Sequence, residues 1–196
     1  PEFKRQTLEI RRQPLEDRRV CITRASGTMV FPCNFMLIAA MNPSPSGVKE
    51  GNTTAARRYL DRISRPLLDR FDIHIEVPPV QYKDLASRQP GEPSRQIRLR
   101  VQAAREIQQK RFKTRRHIHS NAGMSSRDLR EFCALDGHVQ ELLRLAMAEL
   151  NFSARAYDRI LKVARTIADL DWQEKIGPDH ISEAVQYRTL DRTLWQ

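Results

Sequence analysis

The stretch FDIHIEVPPV, residues 71–80, divides the chain. Before it, β-rich runs alternate with helical ones; after its paired prolines no strand pattern returns. Phe71–Val77 alternates apolar and polar residues and reads as a strand stopped by Pro78-Pro79. The apolar run from Phe35 to Met41 reads as a buried strand over Met36–Ala40. Upstream, VCITRASGTMVF (20–31) reads as a hairpin turning at Ala25-Ser26-Gly27, with Gly27 supplying dihedrals other residues avoid. Residues 3–17 carry Phe3, Leu8, Ile10 and Leu15 and read as a helix bent or ended near Pro14. Tyr59–Leu68 reads as a short helical stretch interrupted around Pro66.

Beyond Pro79 the periodicity is helical. QPGEPS makes a turn and starts a helix at Ser94, whose body over Ile97–Phe112 is strongly basic. TRRHIHSNAG breaks it. Ser125 or Ser126 caps a helix to about Ala134, Val139–Leu150 forms another, and Ser153 caps a long amphipathic helix to about Leu170. Gly177-Pro178-Asp179 opens the last. The expected fold class is α/β plus all-α. An α/β part spans residues 1–80, a connector with a basic helix 81–116, and a helical domain 117–196.

At 196 residues the chain can hold one large domain or two small ones. With 40% hydrophobic and 30% charged residues it reads as globular, and no apolar run approaches the ~18 residues of a membrane helix. Three cysteines without a CxxC pair read as free thiols in a reducing cytoplasm. His117 and His119 read as a solvated pair rather than metal ligands. The sequence contains no HExxH, no GxSxG and no GxxxxGK[ST], so it has no phosphate-cradling loop of its own. A net charge of +10 and a pI near 10.1 suit a polyanion, or a basic surface without a specific partner.

Three polar residues carry candidate chemistry. Asn42 stands at the C-terminal edge of the first expected strand, where open α/β sheets place ligands; it also suits a turn before Pro43. Arg70, in RPLLDRFD, has a planar fork that suits a phosphate, and equally an ion pair with Asp69 or Asp72. Arg155, in the first turn after Ser153, adds charge to an anion-favouring helix end, or is a surface arginine.

These residues, with PEFKRQTLEIRRQPLEDRRVCITRASGTMVFPCNFMLIAAMNPSPSG, RISRPLLDRFDIHIEVPPV, NFSARAYDRILKVARTIADL and IGPDHISEAVQYRTLDR, resemble the magnesium-chelatase-like branch of the AAA+ ATPases. The resemblance covers essentially the whole chain. It implies the C-terminal half of an AAA+ P-loop ATPase core, with a pre-sensor-1 β-hairpin, followed by a helical lid. It also implies that Asn42 is sensor 1, placing the attacking water, and that Arg70 is the arginine finger reaching the ATP of an adjacent subunit. Arg155 is then sensor 2 on the lid, and Arg24 at the hairpin tip is a candidate DNA contact. ATP and Mg2+ are the implied cofactors, a hexameric ring of the same chain the implied assembly, and DNA the expected partner.

The implied activity is ATP hydrolysis driving a DNA helicase or branch-migration motor in recombination and natural transformation. The alternative is a magnesium-chelatase-type subunit that remodels a protein. The P-loop and Walker B acids are expected upstream of Pro1, so the chain reads as a fragment of a longer protein, inactive alone and weak in ATP binding. Relatives often carry NPCPCG and a second cysteine pair; Ser44 and Ser46 stand here and the loop through Ala56 has no cysteine, so no metal site is expected. Arg65 stands where glycine is usual, which leaves open whether Arg65 or Arg70 projects at the subunit interface.

Overall fold

The computed structural model describes residues 1–42, 58–59, 61–82 and 91–188. The chain forms two compact units, Pro1–Phe71 and Asp72–Thr193.

In the first unit, helices α1 (Arg5–Glu9) and α2 (Arg12–Asp17) replace the single bent helix expected over 3–17. The break falls at Ile10–Arg11, not at Pro14. The reason is steric: a helical proline clashes with the carbonyl four residues before it, which is that of Ile10. Pro14 then lies in the first turn of α2, where its missing N–H costs nothing. Strands β1 (Arg19–Arg24) and β2 (Gly27–Pro32) pair antiparallel, with Arg24 opposite Gly27. Gly27 takes φ +140°, as the turn requires. Helix α3 (Arg65–Leu68) is capped by Ser64, and Pro66 sits in its first turn, so the proline starts this helix rather than interrupting it. Leu8, Ile63 and Leu67 form a small core, with Leu15, Leu68 and Phe71 packed against it.

The two strands expected at Met36–Ala40 and Phe71–Val77 do not form. Among the described residues the hairpin is the whole sheet. Both segments lack helix or strand structure, with Met36 and Ile38 more than 80% exposed and Ile75 66%. Strand propensity sets no hydrogen bonds without a neighbouring strand to receive them, and neither segment has one among the described residues. The second is tied instead at its start, where the His74 N–H donates to the carbonyl of Tyr187 at 2.8 Å.

The second unit is helical: α4 (Ser94–Arg111), a 3-10 turn at Asn121–Gly123, α5 (Ser126–Phe132), α6 (Gly137–Glu149), α7 (Ala154–Leu170) and α8 (Pro178–Gln186). Three of its helices start at side-chain caps. Ser125 and Asp128 form a reciprocal capping box, and the Ser125 hydroxyl holds the Asp128 carboxyl below its ordinary range. Asp136 caps α6 through the Val139 N–H, and Ser153 caps α7 through the Ala156 N–H. Helix α7 is central, packing against α4, α5, α8 and the 3-10 turn, with Ile160, Leu161, Ala164 and Ala168 buried. The basic helix expected within a connector thus packs by its second half into this unit, burying Ala104 and Gln108.

Cys133 lies in this core with its thiol against the Leu161 carbonyl, and burial pushes it up to about 12. Its thiolate is therefore scarce near neutrality. At about pH 8, iodoacetamide is expected to label the exposed Cys21 in the native protein and Cys133 only after unfolding. Equal native labelling of the two, read by peptide mass spectrometry, would contradict this burial.

Candidate functional site

Arg70 follows α3 and turns inward, its side chain 7% exposed. Its Nε donates to the Arg12 carbonyl at 3.1 Å and its Nη1 to the Pro66 carbonyl at 2.5 Å. Its Nη2 pairs with Glu16. The ion pair that local sequence suggested, with Asp69 or Asp72, is thus made with a carboxylate 54 positions upstream. Asp72 pairs instead with Arg159 of α7. Beside Arg70, Glu9 accepts from the Ser64 hydroxyl at 2.5 Å and from Arg12 at 2.6 Å. The Ser64 hydroxyl first, then Arg12, hold the Glu9 carboxyl below its usual range. Glu9, Arg12, Glu16 and Arg70 line one shallow, open cleft.

The electrostatics of that cleft follow from the pairing. Each guanidinium in it faces a carboxylate, so the arginine charge is answered within the unit. A phosphate would reach Arg70 only after the Glu16 contact opens. Arg65 is exposed at the start of α3.

Asn42, the last described residue of the extended segment after β2, is exposed. Arg24 is exposed at the last position of β1, beside the two-residue turn Ala25-Ser26. Both faces of this hairpin are open: Ile22, Met29, Val30 and Phe31 are all exposed. Arg155 is exposed in the first turn of α7, directly after the Ser153 cap. The loop carrying Ser44, Ser46 and Ala56 lies outside the described residues.

A second polar cluster had no counterpart in the sequence reading. Asp169, 1% exposed, receives Arg111 through both terminal nitrogens, Asn121 Nδ2 at 2.8 Å and Arg165 Nε at 3.2 Å. Arg165 also donates to the carbonyls of Glu174 at 2.7 Å and Gln173 at 2.5 Å. Burial pulls the Arg165 guanidinium down, Asp169 opposes this, and Arg111 adds to it. This cluster joins α4, the 3-10 turn and the C-terminal end of α7.

Residues 1–85 match the family described as magnesium chelatase, subunit ChlI, and residues 91–188 match magnesium chelatase, subunit ChlI C-terminal. The chain belongs to the magnesium-chelatase-like family. Competence protein ComM of Haemophilus influenzae is 43% identical, over 99% of this chain and 38% of its own length. The uncharacterized protein YifB of Escherichia coli is 41% identical over the same shares. An uncharacterized protein of Mycobacterium tuberculosis is 32% identical, over 92% of this chain and 37% of its own length. The chain thus spans under two fifths of the curated relatives it matches.

Membership of the magnesium-chelatase-like family implies an AAA+-like fold and the use of a nucleotide with Mg2+. Taken singly, the exposed Asn42 of the first unit offers an amide to such a group, whereas no phosphate-cradling motif occurs in these 196 residues. Among the described residues no helix is long and apolar enough to cross a membrane.

Proposed function

We propose that this chain is the C-terminal part of an AAA+ ATPase motor that works as a hexameric ring on DNA in the cytoplasm. Its role would be helicase or branch-migration activity in recombination and natural transformation. The observation that carries this reading is the family match over both parts of the chain, together with 43% identity to a protein named for competence. The excess of basic over acidic residues supports DNA as the partner.

In this reading ATP, with Mg2+, supplies the transferable γ-phosphoryl group. The chain's own residues sense and orient. Asn42 presents its amide to the attacking water. Arg155 brings a positive charge at a helix N-terminus towards a terminal phosphate from the lid side. Arg70 supplies charge to the pocket of an adjacent subunit, where it stabilises negative charge developing on the phosphoryl oxygens. To do so it must exchange Glu16 for that phosphate. Arg24 carries charge to DNA from an exposed hairpin.

The protein at its natural length is expected to hydrolyse ATP and to do so faster with branched DNA. Absence of ATPase activity would overturn the motor assignment. A second reading is suggested by the family's own description: a subunit that remodels a protein, as in magnesium chelation. Steeply salt-dependent DNA binding favours the first, because only a polyelectrolyte partner releases condensed counterions. ATPase activity indifferent to DNA favours the second.

A further inference from the structure

Helix α4 carries its charge in an unusual way. Over residues 94–119 there are nine lysines or arginines and one acid, Glu106. A helix face that is merely solvated normally alternates its signs, because opposite charges three or four residues apart attract and like charges repel. Here Arg95 and Arg98 stand three apart with no acid between their turns. The first turn contains no acidic residue and no side-chain cap, so Arg95 also opposes the helix dipole.

The positions are ordered as well. Arg95, Arg98, Gln102, Arg105 and Gln109 recur at spacings of three and four and are all exposed, forming one stripe. Ala104 and Gln108, which bury the helix against the rest of its unit, lie on the opposite side. The stripe runs about 21 Å at 1.5 Å per residue. The side chains of Arg95, Arg98 and Arg105 make no hydrogen bond or ion pair with any described residue, and the same holds for those of Lys113 and Arg116 just beyond the helix. By contrast Arg100, Arg111 and Arg115 are committed to Glu92, Asp169 and Glu131. Among the described residues, the arginines of this stripe are thus without a carboxylate partner, while neighbouring basic residues of the same helix are paired.

We infer that the Arg95–Arg98–Arg105 stripe of α4 is a DNA-backbone contact surface, separate from the hairpin at Arg24. Phosphates set along it would relieve the like-charge repulsion and the unfavourable dipole together. The two glutamines of the stripe offer amide donors to further phosphate oxygens. The contact is sequence-independent, since no base edge is needed to satisfy it. This inference rests on the DNA reading proposed above and adds the surface that carries it.

The test is binding of a fluorescein-labelled duplex of mixed sequence to the natural-length protein, followed by anisotropy across a potassium chloride series. The wild type is compared with Arg95→Gln/Arg98→Gln/Arg105→Gln. A charge-matched control is Arg127→Gln/Arg130→Gln/Lys175→Gln, three exposed positions elsewhere in the same unit. Thermal unfolding verifies that each variant is folded. The stripe variant is expected to flatten the log–log salt slope by about 2–3, as three lost phosphate contacts require, with the control close to wild type. Wild-type slopes in the stripe variant, or equal flattening in both variants, would overturn the stripe while leaving DNA as partner. A wild type that shows no salt-dependent binding would overturn the DNA reading, and the stripe with it.

Discussion

Replacing Asp169 by alanine is expected to remove about 3–5 kcal/mol of stability from the helical unit, the usual cost of leaving a buried charge uncompensated. The carboxylate has no exposed surface, and it answers Arg111 and Arg165, whose side chains are 14% and 3% exposed. Without it, two guanidinium groups share one dry site with only neutral acceptors. Asn121 also loses an acceptor, though it keeps Thr166 at 3.1 Å. Asp169→Asn keeps the shape and removes the charge, so it should fall in the same direction and separate charge from cavity. Denaturant unfolding followed by circular dichroism reads both. A loss below about 1 kcal/mol in each would mean that water or rearrangement rescues the arginines, and that the cluster is not a clamp.

The second large effect concerns activity. In the natural-length protein Arg70→Ala is expected to lower ATP hydrolysis about 10³-fold or more while ATP binding persists, as for arginine fingers generally. Its position complicates the experiment in an informative way. Arg70 also ties the Arg12 carbonyl of α2 to α3, so its loss costs packing as well as charge. Glu16→Gln removes the charge of the third Arg70 contact, also on α2, but leaves the arginine in place. If Arg70 serves a phosphate, hydrolysis in Glu16→Gln stays within a few-fold of wild type. If both variants lose activity and unfold earlier to the same degree, Arg70 is a clamp and the finger assignment fails. A 10³-fold loss confined to Arg65→Ala would move the assignment to that exposed residue.

Which parts of this chain were legible beforehand depends on how far apart the interacting residues lie. Ser125, Ser153 and Gly177-Pro178 act within one helical turn, and each starts a helix where it stands. The hairpin was equally local, since Gly27 and the flanking β-branched residues settle it within a dozen positions. Pro14 was local too, but its effect lands four residues upstream, at Ile10. The extended segments were misread because propensity describes one strand and a sheet needs two.

Long-range pairing was out of reach. Nothing near Arg70 names Glu16 as its partner, and nothing near Arg111 names Asp169, 58 positions away. One signal for the buried cluster was present: Arg165 and Asp169 fall four apart on the same side of α7 as Ile160, Leu161, Ala164 and Ala168. A charged pair on an apolar stripe has to be answered from elsewhere. The roles of Asn42, Arg70 and Arg155 came from family likeness alone, and the structure adds their surroundings rather than their chemistry.

The extended segment before Asn42 also bears on how such a chain behaves in a concentrated solution. Phe35–Met41 is a seven-residue window with no charge and no proline. Among the described residues its backbone has no ladder partner, and most of its large side chains face water. That combination is what stacks into a dry zipper when copies meet edge to edge. The prolines at 43 and 45 then act as gatekeepers: they cannot donate to a growing ladder, and they limit any such stack to the few residues before them.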